Sequence, residues 1–428
     1  MADLLYRTLK YDGYKPKWVM NITDIDDKTI KGAITKFGNK ATVENLREFT
    51  QFYLDEFLKD LSEVNVVSSE DYQIYQPGQA LDFSKKLIFI RVTDVIKETQ
   101  DFIVELINKG YAYKADDGST YFSIEKYQKG FDDYGALVGE KFIEGKKVGA
   151  RVAVDEYEKD NLSDFALWKA WDEASDAQIF WDHSTLGKGR PGWHIECSVI
   201  NKIGFNGEPT DIHTGGVDLI FPHHTNEIAQ SQALFGKGNF VHHWFHSEHL
   251  LVDGKKMSKS AGNFYVLKDL KPINSYHLDK YQPYALRYLF LQAHYRVQQN
   301  FTQKSLDASH NGLLGLIVSA HKDGVISDLR LVGLDNDLNS PLAISENKPS
   351  EILEALIGIS VKSMIDPNRL VSDDELSADI KSLKKERETA KNQKDFKKSD
   401  ELRKQIEDLG YEVMDTPEGQ KVKKKLQI

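Results

Sequence analysis

The spacing of apolar residues changes along this chain, and that change limits the fold more than any other feature of the sequence. Residues 43–61 carry large apolar side chains three or four positions apart, which is the spacing of one helix face. Residues 111–113 and 120–124 are aromatic and β-branched runs on either side of Gly118, which predicts a hairpin. Beyond Tyr281 the helical spacing dominates, so we expect a mixed α/β region followed by an all-helical one. The helix face in residues 43–61 comprises Leu46, Phe49, Tyr53, Phe57 and Leu61.

Capping residues predict further boundaries in the first half of the chain. A second helix is expected from Val92, with Thr93 as its N-cap and Gly110 at the left-handed position that ends many helices. Residues 151–191 hold short apolar stretches between charged segments and end in a glycine-rich run. This pattern is interpreted as loops around a site.

The C-terminal part is more polar. Residues 366–379 have the acidic and polar composition of a linker. Residues 383–409 predict a highly charged helical segment that Gly410 stops. The last residues, about ten of them, are expected to be frayed.

Length and composition are those of an ordinary globular protein. A chain of 428 residues with 40% hydrophobic content can bury a large core, in about two or three domains. No window approaches the roughly eighteen apolar residues of a membrane span, and the start lacks the apolar stretch of a secretory signal. We therefore expect a cytoplasmic protein. The formal charge of -10 argues against nonspecific coating of nucleic acid, because phosphate binding needs clustered lysine and arginine.

A local basic patch near the C-terminus is the exception to this acidic balance. A solvated helical face with a loose tail is the commoner explanation of such a run, and a nucleic-acid contact is the alternative. The patch consists of Lys384, Lys385, Arg387, Lys391, Lys394, Lys397, Lys398, Arg403 and Lys404, followed by Lys421, Lys423, Lys424 and Lys425.

The single cysteine, Cys197, excludes an internal disulfide and is a small core residue, a metal ligand or a nucleophile. His223 and Glu227 are four residues apart, so on a helix both side chains would project from one face and could hold the same ion. Thiolate, imidazole and carboxylate are all zinc ligands, and three of them leave one position open for a substrate. Spacing alone is a weak signal for zinc. The alternative histidines are His224, His242, His243 and His246.

The sequence KMSKS at residues 256–260 lies between the glycines Gly254 and Gly262, which allow a loop to open and close. Lys256 and Lys259 could surround a triphosphate and neutralise the charge that builds as pyrophosphate leaves. As an arbitrary string this would be a basic surface loop. With this spelling, however, it resembles a highly specific signature of class I aminoacyl-tRNA synthetases.

Four segments together resemble successive signatures of the cysteine–tRNA ligases, in that family's order. The resemblance extends from about Asp3 to the end of the chain. It implies a Rossmann-type catalytic core with a parallel sheet over residues 1–265, with a connective region inserted at about 90–185. A stem-contact region and helical bundle over residues 266–370 and a C-terminal helical, anticodon-side region over residues 371–428 would follow. The segments are NITDIDDK at 21–28, GRPGWHIECS at 189–198, DIHTGGVDLIFPHHTNEIAQS at 211–231 and KMSKSAGNF at 256–264.

The resemblance also implies roles for individual residues. Cys197, His223 and Glu227 match the family's zinc ligands, one ion per chain, and Thr23 and Trp193 match positions that line the cysteine pocket. A soft thiolate can bind zinc directly, whereas a hydroxyl or a methyl group cannot replace that bond, so cysteine would be selected without an editing site. For Trp193, core packing is the alternative.

ATP, with Mg²⁺, is the second substrate that the resemblance implies. Glycines at the nucleotide site let the backbone approach the ligand closely. The carboxylates Asp24, Asp26 and Asp27 could suggest a further metal site, but structural and pocket roles are favoured. The implied ATP-binding residues are His213, Gly215, Gly216, Asp218, Ser258 and Lys259.

The sequence departs from the family pattern in one respect. Family members normally begin with a strand and loop that carry a fourth zinc ligand, a cysteine, followed by an H-x-G-H signature that holds the ATP phosphates. No H-x-G-H occurs in this sequence. We therefore expect a parallel sheet with an unpaired edge, in either a truncated product of a normal ligase, which is favoured, or a real shortened protein.

The leading functional hypothesis is a ligase that activates cysteine with ATP and transfers it to tRNA(Cys), with Lys256 and Lys259 as the catalytic lysines. It is expected to be a monomer. One alternative is a cysteine ligase that acts on an amino sugar, which the C-terminal basic helix disfavours. Another is a noncatalytic, RNA-binding remnant. A zinc hydrolase would leave the KMSKS loop without a role.

Overall fold

The computed structural model describes residues 1–138, 147–152, 161–257, 262–270, 282–323, 333–358, 370–371, 376–416 and 419–424. The chain divides into two compact units. The first contains residues 1–257 and 295–300, and the second contains residues 258–294 and 301–428. None of the helices in the described ranges has the length and apolar character needed to cross a bilayer.

The first unit alternates helices and strands. Its helices are α1 (Ala2–Tyr11), α2 (Asp27–Phe37), α3 (Val43–Glu63), α4 (Ile96–Asn108), α5 (Ile124–Gly130), α6 (Glu173–Asp176), α7 (Trp193–Gly204) and α8 (Thr225–Phe235). Its strands are β1 (Val19–Ile22), β2 (Tyr72–Ile74), β3 (Leu87–Arg91), β4 (Ala112–Lys114), β5 (Thr120–Phe122), β6 (Lys147–Val152), β7 (Asn161–Ala170), β8 (Gly189–Pro191), β9 (Thr210–Gly216), β10 (Val241–Ser247), β11 (Leu250–Val252) and β12 (Lys255–Lys256). A further strand, β13 (Gln299–Phe301), pairs with β11.

Parallel strands form the central layer of this unit. β3 lies between β1 and β2, and both pairings are parallel. Every residue of β3 is buried, which explains its almost continuous apolar sequence. On one face Leu87 and Phe89 pack against Leu54 of α3, while Ile88 and Ile90 belong to the main core with α4. The mixed α/β prediction for the first half is therefore confirmed.

A cavity of about 1010 Å³ lies between β1 of the three-stranded parallel sheet and β9, which forms a second parallel sheet with β10. Among the described residues β1 pairs with β3 alone, and β9 pairs with β10 alone. The cavity is lined by Met20 of β1, His213 of β9 and Leu5 of α1, and Cys197 borders it as well. The unpaired strand edges expected from the sequence are thus present in the described part of the chain.

A mixed sheet is inserted between β3 and α7, in which β6 and β7 pair in parallel and the other pairs are antiparallel. Its strand order is β4-β5-β7-β6, and β8 pairs with β7. The hairpin predicted around Gly118 is confirmed, since Ala112 lies opposite Phe122. The expectation of loops throughout residues 151–191 was wrong, because β7 and β8 occupy part of that range. Phe165, Leu167 and Trp168 follow one another closely because the strand is buried on both faces there.

Helix ends and faces differ from the sequence expectation in two places. Thr93 is not an N-cap, since α4 begins at Ile96 and the Thr93 hydroxyl donates to Asp24 at 2.5 Å. Gly110 does adopt the left-handed conformation after α4, at φ 78°. α3 has the expected extent, but Tyr53 and Phe57 are exposed on it. The face of α3 that is buried consists of Leu46, Leu54 and Leu58.

The second unit is mainly helical in its described part. Its helices are α9 (Gln282–Leu291), α10 (Gln303–Asp323), α11 (Ser340–Glu346), α12 (Pro349–Glu351), α13 (Ala378–Asn392) and α14 (Phe396–Asp408), with a π-helical turn at Ile352–Ile357 after α12. The helical pattern predicted beyond Tyr281 is confirmed, but the expectation of an all-helical region was wrong, because β13 and three short strands near the C-terminus also lie there. Most of residues 366–379, expected to form a linker, lie outside the described residues.

The C-terminal segment is not frayed over most of its length. Strands β14 (Leu370–Val371), β15 (Tyr411–Thr416) and β16 (Gly419–Lys424) form an antiparallel sheet. Val413 and Val422 lie opposite each other and pack against Ile406 of α14. The expectation of a frayed end was wrong because these alternating valines bury one face of a hairpin.

Candidate active site

The cluster predicted from Cys197, His223 and Glu227 forms at the ends of two helices that pack together. α7 carries Cys197, and it follows directly on β8 through Gly192. A Cβ atom on Gly192 would lie 2.0 Å from the carbonyl oxygen of Ala166, so glycine is needed at this turn. The turn after β9 carries His223, and Glu227 lies in the first turn of α8.

The three side chains meet although the cysteine and histidine are 26 residues apart in sequence. His223 Nε2 lies 3.0 Å from Glu227 Oε1 and 3.4 Å from Cys197 Sγ. One ligand atom from each residue lies within 4.8 Å of the others, which is compatible with a single ion. His213, His224 and Glu227 form a second group of the same kind, so Glu227 is common to both.

The electrostatics of the cluster favour a cation. Glu227 is fully buried, and neither carboxylate oxygen accepts a well-aligned hydrogen bond among the described residues. Burial alone would raise the pKa of Glu227, but the neighbouring imidazoles of His213 and His223 outweigh it and hold that pKa at about 2. Burial raises the pKa of the Cys197 thiol well above its ordinary value. A bound cation would satisfy the orphaned carboxylate and favour the thiolate, so this donor set fits zinc.

Trp193 stacks on the ring of His223, with 4.2 Å between ring centroids and 26° between planes. It therefore lies against the cluster rather than only in the core. Thr23 lies just beyond β1, where its hydroxyl accepts from the side-chain amide of Asn21 at 3.0 Å. His213 Nε2 is 3.7 Å from Glu227 Oε2, which brings one predicted nucleotide residue to the metal ligands.

The carboxyl end of β9 holds the other predicted nucleotide residues. Gly215 and Gly216 end the strand, and Asp218 lies in the turn that follows. A Cβ atom on Gly215 would lie 2.6 Å from Cε1 of His224, so a larger residue would displace that buried ring. Ligands of open α/β sheets bind outside the carboxyl ends of parallel strands, which is where these residues lie.

The KMSKS loop is described only in part. Lys256 is exposed on β12, next to the tight turn between β11 and β12. Ser258 and Lys259 lie outside the described residues.

The three aspartates of residues 24–27 have structural partners, as the favoured interpretation requires. Asp24 accepts from the backbone amide of Thr93 at 3.0 Å. Asp26 is the N-cap of α2. Asp27 lies 3.3 Å from Lys169 Nζ and also pairs with Arg190.

Further histidines surround the cluster. His224 and His246 were named from the sequence as alternatives, whereas His194 was not. His194 Nδ1 lies 3.0 Å from His223 Nδ1, and burial holds the pKa of His194 well below its ordinary value. His224 Nδ1 lies 2.8 Å from His246 Nε2, and burial lowers the pKa of His224 to about 2. The one sequence signal for His194 was its position three residues before Cys197, on the same face of α7.

Known proteins show the same combination of segments. The family described as tRNA synthetases class I (C) catalytic domain matches residues 1–311, and the cysteinyl-tRNA ligase anticodon binding domain matches residues 373–422. The chain is 37% identical over 460 residues to the cysteine–tRNA ligase of Chlamydia caviae, covering 99% of this chain and 88% of that protein. It is 38% identical over 464 residues to the cysteine–tRNA ligase of Chlamydia muridarum, covering 99% and 90%.

A solved structure supports the fold. The methionyl-tRNA synthetase of Mycobacterium tuberculosis bound by methionyl-adenylate superposes with a TM-score of 0.50, over 83% of this chain and 77% of that one. Its sequence identity is 13%, so it supports the fold and nothing further. The family matches and the near full-length relatives together show that this chain belongs to the cysteine–tRNA ligases, a family of class I aminoacyl-tRNA synthetases.

Proposed function

We propose that this chain activates cysteine with ATP, giving cysteinyl adenylate and pyrophosphate, and then transfers the cysteinyl group to tRNA(Cys). Its relatives of that activity match 99% of the chain. The single observation that carries the proposal is the cluster of Cys197, His223 and Glu227, with ligand atoms within 4.8 Å of one another. A soft metal at such a site would bind the thiol of cysteine much more strongly than the hydroxyl of serine.

Cys197, His223 and Glu227 would hold one zinc ion. When bound, zinc would supply a soft acceptor for the sulfur of the substrate. The protein's own part is to keep the three ligands close together and to shield two of them, His223 and Glu227, from water. Trp193 and Thr23 would line the pocket, where the indole also fixes the plane of the His223 ring.

His213, Gly215, Gly216 and Asp218 would hold the adenylate at the end of β9. The close approach of Gly215 to His224 leaves no room for a side chain on that part of the strand. His213 would link metal binding and nucleotide binding, since it lies beside Glu227 and on β9, the strand that ends at the nucleotide residues.

Lys256 and Lys259, with Ser258, would contact the phosphates of ATP, which enters with Mg²⁺. Lysine charge that is placed where negative charge develops lowers the barrier to pyrophosphate release. The neighbouring Lys255 offers a matched control, because it is also exposed on β12.

We assign catalysis to residues 1–265, with the insertion at about 90–185. Residues 266–370 would contact the acceptor stem and form the helical bundle, and residues 371–428 would form the anticodon side.

Phe396 at the start of α14 is 64% exposed, and Lys394, Lys397 and Lys398 lie beside it in sequence. An exposed aromatic ring among lysines suits an unstacked base and its phosphates. The protein would work as a cytoplasmic monomer.

Cysteine-dependent exchange between ATP and pyrophosphate tests the proposal, followed by charging of tRNA(Cys). We expect exchange with cysteine and not with serine. Lys256→Ala and Lys259→Ala should each lower the exchange rate by about 100-fold or more, while Lys255→Ala leaves it near that of the starting protein. Absence of cysteine-dependent exchange in zinc-loaded protein would favour the RNA-binding alternative. Transfer of the cysteinyl group to an amino sugar rather than to tRNA would favour the alternative of a cysteine ligase that acts on an amino sugar.

A further inference from the structure

Both ring nitrogens of His223 have close partners. Nε2 faces the metal-ligand cluster, 3.0 Å from Glu227 Oε1 and 3.4 Å from Cys197 Sγ. Nδ1 faces the opposite way and lies 3.0 Å from Nδ1 of His194. His194 and His223 are each 3% exposed, so water does not compete for the contact between them.

We propose that His194 is a positioning residue of the metal centre, which fixes His223 in the tautomer whose Nε2 can bind a cation. The proposal rests on the metal site proposed above. Because Nε2 must offer its lone pair to the metal, the ring proton of neutral His223 lies on Nδ1. The Nδ1–H group of His223 then donates to His194 Nδ1, and that atom is the acceptor.

The acceptor itself is held firmly. The ring of His194 meets Phe165 edge-on, with 5.3 Å between centroids and 78° between planes. The backbone carbonyl of His194 accepts a hydrogen bond from the side-chain amide of Gln230, which also donates to Ser198 Oγ at 2.7 Å. Gln230 belongs to α8 and Ser198 to α7, so these bonds join the two helices that carry the metal ligands.

The His223 ring is therefore restrained in two independent ways. Trp193 stacks on its face and fixes the plane of the ring. His194 binds its edge and fixes which nitrogen carries the proton. Removing a residue that hydrogen-bonds to a metal ligand in this way typically weakens metal binding about 10- to 100-fold.

Two variants of nearly equal shape separate this role from simple packing. Asn places an oxygen, which can accept, close to where the Nδ1 of His194 lies, and Leu places a methyl group there. We expect His194→Asn to retain zinc affinity within about threefold and His194→Leu to weaken it about 10- to 100-fold. Zinc affinity is measured by competition with a chelator, on the full chain. Thermal melts of the metal-free proteins report whether either substitution disturbs the fold.

Equal weakening in the two variants, or no weakening in either, would overturn the proposal. A second measurement needs no variant. In the full chain with nitrogen-labelled histidine and NMR-active cadmium in place of zinc, the metal should couple to Nε2 of His223, with the proton on Nδ1. Coupling to Nδ1 would contradict the proposal. A starting protein that binds no metal would overturn the metal site as well, whereas stoichiometric binding that His194→Leu leaves unchanged would overturn the role of His194 alone.

Discussion

The imidazole of His223 lies 3.0 Å from the carboxylate of Glu227, in a region where both side chains are almost fully shielded from solvent. Such a pair costs free energy unless a further partner satisfies the buried carboxylate. Cys197 completes the set from a neighbouring helix. The cluster therefore has the composition of a metal site. The unsatisfied carboxylate oxygens of Glu227 favour binding of a cation there.

Replacing Glu227 with glutamine tests this explanation. The change keeps the size of the side chain and removes the negative charge, so we expect the zinc content of purified protein to fall from about one equivalent per chain to a small fraction of that. Glu98→Gln, on an exposed position of α4, is the matched control and should retain its metal. Full zinc content in Glu227→Gln would show that the carboxylate is not a ligand.

The turn before α7 should tolerate no side chain. In Gly192→Ala the new Cβ would lie 2.0 Å from the carbonyl oxygen of Ala166, so backbone must move. We expect a loss of about 2 to 3 kcal/mol in unfolding free energy. Gly315→Ala, in the interior of α10 with no atom within 4 Å of the new Cβ, should instead stabilise by about 0.5 to 1 kcal/mol. Scanning calorimetry compares the two, and equal melting temperatures would contradict the steric argument.

A buried arginine makes part of the stability depend on pH. Hydrogen bonds from Arg387, at 2.9 Å, and Lys391 hold the pKa of Asp415 far below its ordinary value. A depressed pKa contributes stability that is complete above the unfolded-state pKa of about 3.9 and is lost as pH falls toward the folded-state pKa.

Asp415→Asn should therefore lower the free energy of unfolding at pH 7, and this loss should become smaller in acid. Asp415 is 39% exposed, so solvent screening limits the expected loss to about 1 kcal/mol. Denaturant unfolding of both proteins from pH 7 downward measures the difference, which should shrink below a pH of about 4. A difference that stays constant or grows in acid would exclude this ion pair as its source.

The exposed ring of Phe396 is expected to serve tRNA and not cysteine activation. Phe396→Ala should weaken tRNA binding by about 10-fold, the lower part of the range for losing one base–aromatic contact, and leave ATP–pyrophosphate exchange unchanged. Leu409→Ala is the control, since Leu409 is 53% exposed in the same region and offers no ring for stacking. Equal effects of both variants on tRNA charging would argue against a stacking role.

The sequence predicted the order of structural classes well and single faces less well. The hairpin in residues 111–124 was predictable because its strand and turn residues are neighbours in sequence and specify the turn locally. The buried face of α3 was not, because Tyr53 and Phe57 repeat at helical spacing yet lie on the exposed side. β7 was missed for a similar reason, since a strand buried on both faces loses its alternation.

The candidate site was predictable only through a resemblance. Spacing could place His223 and Glu227 on one face, but no local rule brings Cys197 next to them from 26 residues away. His194 escaped notice because its role depends on contact between two helices. The distances within the cluster and the cavity between β1 and β9 required the fold.

A soft metal that binds the substrate's sulfur is the central feature of the proposed site, and cobalt in place of spectroscopically silent zinc tests for it most directly. Because Cys197 is the single cysteine of the chain, cobalt-loaded protein should show the thiolate-to-metal absorption of one sulfur. Adding cysteine should raise that absorption to about twice its value, and adding serine should leave it unchanged. Absorption that cysteine leaves unaltered, in protein that holds one cobalt ion per chain, would contradict the account.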